Sequence, residues 1–291
     1  MNPIVPMRRE PPSDFFSVKN LWLYRALLSV RPAQLGSLLT KALLIRRRAF
    51  LARTGLVYWI HPVTVFGGAL LSDGVYESEL TEVVDTLLRG GDTFVDVGGN
   101  EGYFSILAAS KVKEGLVFCI EPQKRLLPVI QRNIELNAIS SVSVNNIAFS
   151  DRKGSIQLYL RPSTNTGSSS FFKHWTLGGA SQSVETVTLD EFVEQQSLKR
   201  IRLIKIDCEG AEGLVIKGAT NSIQNHLFDF LVVDYHSQIK GMSECDEIHS
   251  KIQNAGYRLA KFVGVNVYHL PGSVQDLERM GKCRIAQSWR E

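Results

Sequence analysis

Cysteine is scarce in this 291-residue sequence: there are four, at positions 119, 208, 245 and 283. None lies within metal-ligand spacing of another, which argues against a zinc cluster and a disulfide framework and favours a reducing compartment. Apolar runs are short, and none reaches the ~18 residues of a membrane span. The opening residues lack a compact apolar stretch ahead of a cleavage site, so no signal peptide is expected and a cytoplasmic location is. Internal repeats are lacking too. What remains is a globular composition, 44% hydrophobic and 21% charged, sufficient for one large α/β domain or two small ones.

The net charge of +4 is unevenly spread. Residues 1–54 hold ten Lys/Arg against Glu10 and Asp14, a surplus of eight that leaves the rest of the chain four negative. Four prolines make residues 1–17 a loose tail. Leu21, Tyr24, Leu27, Leu28, Leu35, Leu38, Leu39, Leu43, Leu44 and Ile45 then recur at helical spacing, interrupted at Pro32. The reading is a basic helical extension over 1–54, ahead of a domain over 55–291. Arg46-Arg47-Arg48 reads as a solvated face, with contact to membrane phosphates or nucleic acid as the sharper alternative.

Short strands are expected at Val57–Ile60 and Val63–Phe66, and a helix over 77–89 that Gly90-Gly91 stops. An alternation of strands and helices follows. Strands are expected at 93–97, 116–121, 142–148, 201–207 and 229–235, with helices at 102–111, 124–136, 188–197, 212–225 and 244–255. Strands 155–160 and 183–187 flank a polar loop. Strands 257–262 and 265–270, joined by Val263-Gly264, form an antiparallel hairpin. The alternation implies a doubly wound, mostly parallel α/β sheet.

The stretch Asp96-Val97-Gly98-Gly99-Asn100-Glu101-Gly102 is the pivot. It closes an apolar strand and opens a helix, the place where open α/β sheets bind ligands. The spacing is not the G-x-G-x-x-G of a pyrophosphate cradle: Asn100 replaces the second glycine and Asp96 sits in the turn. An acid there repels a pyrophosphate and suits an amine-bearing cation. S-adenosylmethionine carries a sulfonium and an amine, and its carboxylate fits the amides at a helix start. Glu121 ends the next strand 25 residues on; its two oxygens match the two hydroxyls of a ribose, so together with the turn it indicates an adenosine ligand and leaves S-adenosylmethionine and NAD both open, the glycine spacing disfavouring NAD. Asn146–Ala148 closes the third strand, where an adenine would lie. Asp96, Gly98, Asn100, Gly102, Glu121 and Ala148 are therefore the cofactor candidates.

Strand 201–207 runs into Ile204-Lys205-Ile206-Asp207-Cys208-Glu209-Gly210-Ala211-Glu212, delivering Lys205 and Asp207 to the crevice. Glu209 and Glu212 fall where a helix start favours acids. His236 is the one histidine expected at a parallel-strand end and is a candidate base; His61, His174, His226, His249 and His269 read as structural. The catalytic candidates are Asp207 and His236, with Lys205 orienting an acid. No obligatory metal is expected, although Asp190, Asp207, Glu209 and Glu212 are hard oxygen ligands of the kind a divalent ion takes. The loop Pro162–Ser170 is placed to close over the cofactor or touch substrate.

These segments in this order resemble the FkbM family of methyltransferases. The resemblance rests on Asp73-Gly74-Val75-Tyr76-Glu77, the turn from Gly91 to Phe104, Glu121-Pro122, Asn133 with Asn137, Ala148-Phe149-Ser150-Asp151 with Gly154, Asn165-x-Gly167, Thr188-Leu189-Asp190, the Lys205–Glu212 segment and Gly218-Ala219. It covers roughly 57–262. It implies a class I methyltransferase fold with seven strands, S-adenosylmethionine as cofactor, and transfer to an oxygen of a sugar, polyketide or similar small molecule. Gly99 departs from the alanine usual at its position, and Asp234 stands near where the family places an acid, often glutamate. An RNA methyltransferase using the basic N-terminus, and a partner-binding module without turnover, are the alternatives. A peripheral membrane contact through that N-terminus and the oligomeric state stay open.

Overall fold

The computed structural model describes residues 46–62, 64–161, 165–172, 180–262, 265–273, 277, 283–286 and 288–290. They fall into two compact units: the chain up to Tyr76 with residues 162–165, and Glu77–Arg161 with Thr166–Glu291.

In the first unit, β1 (Arg47–Leu51) and β2 (Leu56–Ile60) form an antiparallel hairpin. Helix α1 (Val65–Asp73) follows, N-capped by the Thr64 hydroxyl and closed by Gly74 at φ 67°. Two expectations change here. The helical stretch over 18–53 lies outside the described residues up to 45, and its last residues are a strand. Ala49 and Leu51 are buried at a two-residue period, with Arg48 and Phe50 alternating between them. The strand expected at Val63–Phe66 is also replaced. Thr64 captures the Gly67 amide at 2.9 Å and starts a helix, because a capped first turn outweighs the strand propensity of the β-branched and aromatic residues around it.

The second unit opens with α2 (Ser78–Leu87). Its parallel strands are β3 (Thr93–Val97), β4 (Leu116–Ile120), β5 (Val142–Asn145), β9 (Ile201–Ile206) and β10 (Phe228–Val233). With β11 (Arg258–Phe262), β12 (Val265–His269) and β13 (Cys283–Ala286) they form one eight-stranded sheet in the order β13-β11-β12-β10-β9-β3-β4-β5. The expected seven strands are present, five of them parallel, with β11 and β12 as the antiparallel hairpin. The eighth, β13, extends the edge beside β11. Helices α3 (Tyr103–Val112), α4 (Leu127–Leu136), α5 (Leu189–Gln195), α6 (Glu212–Lys217), α7 (Thr220–Gln224), α8 (Ser237–Lys240) and α9 (Met242–Asn254) complete the alternation. The helix expected over 212–225 is two, divided at Gly218-Ala219. Any side chain at Gly218 would put its Cβ 2.0 Å from the Ser150 carbonyl oxygen.

Strand chemistry follows burial. All six residues of β9 are buried, including Arg202 and Lys205. Arg202 is tolerated because it donates to Asp229 at 2.9 Å and to the Leu87 carbonyl at 3.0 Å. One face of the sheet packs Val95, Val97, Phe118, Ile204, Ile206, Leu231 and Val233 against Phe192, Val215, Ile216, Ile248 and Ile252. A second, three-stranded sheet joins β6 (Ala148–Phe149), β8 (Ser181–Val187) and β7 (Gly154–Tyr159). No helix among the described residues is long and apolar enough to cross a membrane.

Candidate active site

The carboxyl ends of β3, β4, β9 and β10 meet at one crevice edge. The glycine turn after β3 keeps a backbone that side chains cannot follow. Gly98 has φ 83°, and a Cβ on it would lie 1.9 Å from the Asp207 carbonyl oxygen. Asn100 also takes a left-handed conformation, at φ 48°. Its amide donates to Glu121 Oε2 at 2.7 Å. Gly102, at φ 85°, is the N-cap of α3, and no side chain caps that helix start. Gly99 has its own reason: a Cβ would fall 2.4 Å from Cys119 Sγ on the neighbouring strand, so the alanine of the family pattern does not fit beside this cysteine.

Glu121 is buried, with Oε1 accepting from the Gln123 amide at 2.8 Å. Burial pushes its carboxyl up to about 7, against the two amide bonds that favour its charge. Asn146 reaches back from beyond β5 to the Glu121 and Pro122 carbonyls, each at 2.9 Å. Ala148 is placed differently from expectation. Strand β5 stops at Asn145, and Ala148 begins β6, where it packs with Leu158 and Val184 in a small separate core. Asn146 stands beside Glu121.

Asp96 is fully buried (0% exposed). Oδ2 accepts from the Ser105 hydroxyl at 2.7 Å, while Oδ1 lies 3.3 Å from Lys205 Nζ. Strand pairing makes this contact, because Asp96 and Lys205 are direct cross-strand partners. Lys205, 2% exposed, also reaches Asp207 Oδ2 at 3.2 Å and donates to the Gly98 carbonyl at 3.2 Å. Burial works to discharge its ammonium, but Asp207 and Asp96 outweigh it and raise the pKa well above the ordinary lysine value.

The acids after β9 divide into two kinds. Glu212 is buried and works as a local clamp: Oε1 accepts from the Cys208 amide at 3.1 Å, from the Gly210 amide at 3.2 Å, and bonds His236 Nδ1 at 2.9 Å. Asp207 and Glu209 are half-buried and face the crevice. His236 Nε2 lies 3.5 Å from Glu209 Oε2, and 3.9 Å from both Asp207 Oδ1 and Asp234 Oδ2. Burial opposes charge on this imidazole, yet its bond to Glu212 and the surrounding acids raise its pKa to about 9. Burial likewise pushes Glu209 up to about 7, with His236 acting against it. Asp190 has no part here; it accepts from the Asn221 and Ser222 amides at the start of α7.

The polar loop closes this edge, and most of its partners were missed from sequence. Residues 162–164 lie outside the described residues. The Thr166 hydroxyl donates to Asn100 Oδ1 at 2.9 Å. Gln123 Nε2 donates to the Thr166 carbonyl at 3.1 Å, and the Ser169 hydroxyl donates to Gln123 Oε1 at 3.0 Å. The Ser170 hydroxyl donates to the Glu209 carbonyl at 2.6 Å. One loop thus touches the glycine turn, the end of β4 and the end of β9. The run of hydroxyl residues was the visible signal; Gln123 offered none. Of the other histidines, His226 bonds the Ala255 carbonyl, His249 the Tyr268 hydroxyl and His269 the Leu270 carbonyl. His174 lies outside the described residues.

Comparison with known proteins agrees with the motifs. The methyltransferase FkbM domain matches residues 96–259, from the acid of the glycine turn into β11. Methyltransferase 1 of Beauveria bassiana is 28% identical over 161 residues, 49% of this chain and 64% of that protein. Hexuronic acid methyltransferase AglP of Haloferax volcanii is 27% identical over 148 residues, 51% of this chain and 57% of that one. The 2-O-methyltransferase NoeI of Sinorhizobium fredii is 26% identical over 175 residues, 54% and 68%. The chain spans less than two thirds of the length of the first two relatives. The domain match covers more than half of this chain, through every strand end that builds the crevice, and so the chain belongs to the FkbM family of methyltransferases, with S-adenosylmethionine as its cofactor.

Proposed function

We propose that the protein transfers the methyl group of S-adenosylmethionine to a hydroxyl oxygen of a sugar or a comparable small acceptor. The observation that carries this reading is Lys205, whose one ammonium joins the Gly98 carbonyl of the cofactor turn to Asp207 of the acid cluster. The cofactor half and the acid half are therefore one polar network across adjacent strands. The relatives named as a hexuronic acid methyltransferase and a 2-O-methyltransferase support an oxygen acceptor on a sugar.

When bound, the cofactor supplies a methyl group on a sulfonium, already an excellent leaving group, so the protein has mainly to position and to take a proton. In this reading Glu121 receives the ribose hydroxyls, and the amides at the start of α3 receive the carboxylate. Bare backbone at Gly98 lets the turn pass against the Asp207 carbonyl, which brings the cofactor turn and the acid cluster together. Asp207 accepts the acceptor's hydroxyl proton, because a sugar hydroxyl is too weak an acid to attack unaided. His236, held by Glu212 through Nδ1, turns Nε2 toward the acceptor side of the crevice. Lys205 is a positioning residue that aims Asp207. Thr166, Ser169 and Ser170 keep water from the edge by holding the loop down.

The test is transfer of labelled methyl from S-adenosylmethionine to uronic acids and amino-sugar oligosaccharides, with the product linkage read by mass spectrometry and NMR. The expected product is a methyl ether. Asp207→Asn is expected to lower turnover at least a hundredfold while cofactor affinity, read by calorimetry, stays within twofold. Tight cofactor binding with methyl found only on nitrogen or carbon would overturn the proposal.

A further inference from the structure

We infer that Asp207, Asp234 and His236, with Glu209 beside them, form a site for a divalent transition-metal ion at the acceptor side of the crevice. The inference deepens the reading above and rests on it for its role, although the site itself stands on geometry alone.

The starting point is the histidine. His236 is 9% exposed, and its two ring nitrogens live in different surroundings. Nδ1 is bound to Glu212, which the Cys208 and Gly210 amides fix in turn. That bond sets the ring's orientation and turns Nε2 toward Asp207, Glu209 and Asp234. Nε2 makes no hydrogen bond there: its carboxylate neighbours stand at 3.5, 3.9 and 3.9 Å. Those separations are long for hydrogen bonds, which run about 2.7–3.2 Å. They are close to the spacing of ligands sharing one ion. Donor atoms about 2.1 Å from a common centre lie about 3.0–3.5 Å from each other, so the imidazole has to close on each carboxylate by less than about 1 Å. One ligand atom from each of Asp207, Asp234 and His236 lies within 4.8 Å of the other two. A carboxylate that holds the far nitrogen of a ligating imidazole is the usual outer support of a metal-bound histidine, and Glu212 occupies that place.

The scaffold is stiff where it has to be. Val233 and Ile206 are paired across β10 and β9, so Asp207 and Asp234 leave adjacent strand ends close to each other. Charge agrees with the geometry. Four carboxylates, of Asp207, Glu209, Glu212 and Asp234, converge on one imidazole and one ammonium. Asp234 is 65% exposed on its side chain, which leaves the site open on one side for an acceptor or water. One imidazole with two or three carboxylates suits Mn²⁺, Fe²⁺ or Zn²⁺ better than Ca²⁺, which prefers oxygen alone. An ion held there offers its open positions to neighbouring oxygens of a sugar and makes a bound hydroxyl more acidic next to Asp207. The sequence carried no expectation of a required metal, and these residues lead to the opposite view.

The test uses Mn²⁺ as the probe on the full chain, with binding followed by loss of the free-ion EPR signal and by calorimetry, with and without S-adenosylmethionine. The expected result is one Mn²⁺ per chain with micromolar affinity. Asp234→Asn, at an exposed position, is expected to weaken it at least tenfold, and His236→Gln at least as much, with the circular dichroism spectrum unchanged. Affinity for S-adenosylmethionine is expected to stay within twofold in Asp234→Asn. No Mn²⁺ binding at millimolar concentration, or binding that neither variant alters, would overturn the inference. The two readings fail separately: loss of Mn²⁺ with the cofactor still bound removes the metal site alone, and failure to bind the cofactor removes the enzymatic reading whatever Mn²⁺ does.

Discussion

The buried charge network predicts a large penalty for Lys205→Met. Methionine is close to lysine in length and carries no charge. Its introduction leaves Asp96 fully buried with only the Ser105 hydroxyl against its oxygens. Breaking a buried ion pair on one side costs about 3–5 kcal/mol, because the orphaned charge stays out of water. Asp207 adds less, since its side chain is 24% exposed and water relieves it. The comparison is with a total stability of about 5–15 kcal/mol for a typical domain, so the loss is about a fifth of it or more. Urea unfolding at pH 7 measures it directly.

Removing the stranded charge tests the mechanism: at pH 7, Lys205→Met with Asp96→Asn is expected to recover most of the loss. A loss below about 1 kcal/mol at pH 7, or a double variant no better than the single one, would refute the argument that Lys205 exists to compensate Asp96.

Three further outcomes follow from the site. Glu121 has its pKa raised to about 7 by burial, with Asp96 nearby adding to the rise. A raised carboxyl contributes stability that is fully present below about pH 4.5 and is lost as pH rises through 7. Thermal unfolding should therefore show Glu121→Gln losing this slope between pH 4.5 and 7.5. Thr166→Val removes the hydroxyl that holds Asn100, and faster hydrogen exchange of residues 165–170 with a several-fold weaker cofactor affinity is expected; unchanged exchange would mean the loop is held elsewhere. Gly99→Ala places a Cβ 2.4 Å from Cys119 Sγ, so a destabilisation of about 1–3 kcal/mol is expected from denaturant unfolding, with Cys119→Ala restoring it in the double variant.

Features set by neighbours in the chain were readable before the fold. The glycine turn declared itself because Gly98 and Gly102 sit at positive φ. Thr188 and Glu191 form a complete capping box at the start of α5, where a helix was expected. Errors came where two local signals competed. Arg46-Arg47-Arg48 beside leucines looked like a helix face, yet Ala49 and Leu51 follow a strand period and pair with β2. Strand 142–148 was read as one element because Val142, Val144, Ile147 and Ala148 are apolar. The sheet edge ends at Asn145, and Ala148 pairs instead with Thr186 of β8, a partner 38 positions away that no local pattern announces.

The acid cluster shows the same limit at the level of function. Read along the chain, Glu212 is an acid in the first turn of a helix, and the helix dipole accounts for it. Read across the sheet, the same carboxylate reaches His236 from the next strand end and fixes which nitrogen faces the acids. The two descriptions predict different consequences for Glu212→Gln. A helix-start role alone costs about 0.3–1 kcal/mol and moves nothing else. An orienting role lets the imidazole turn, so Mn²⁺ affinity should fall at least tenfold and methyl transfer should fall with it, while cofactor binding holds. Stability, metal affinity and cofactor affinity measured on this one variant separate the two, and a fall in stability alone would return Glu212 to the helix.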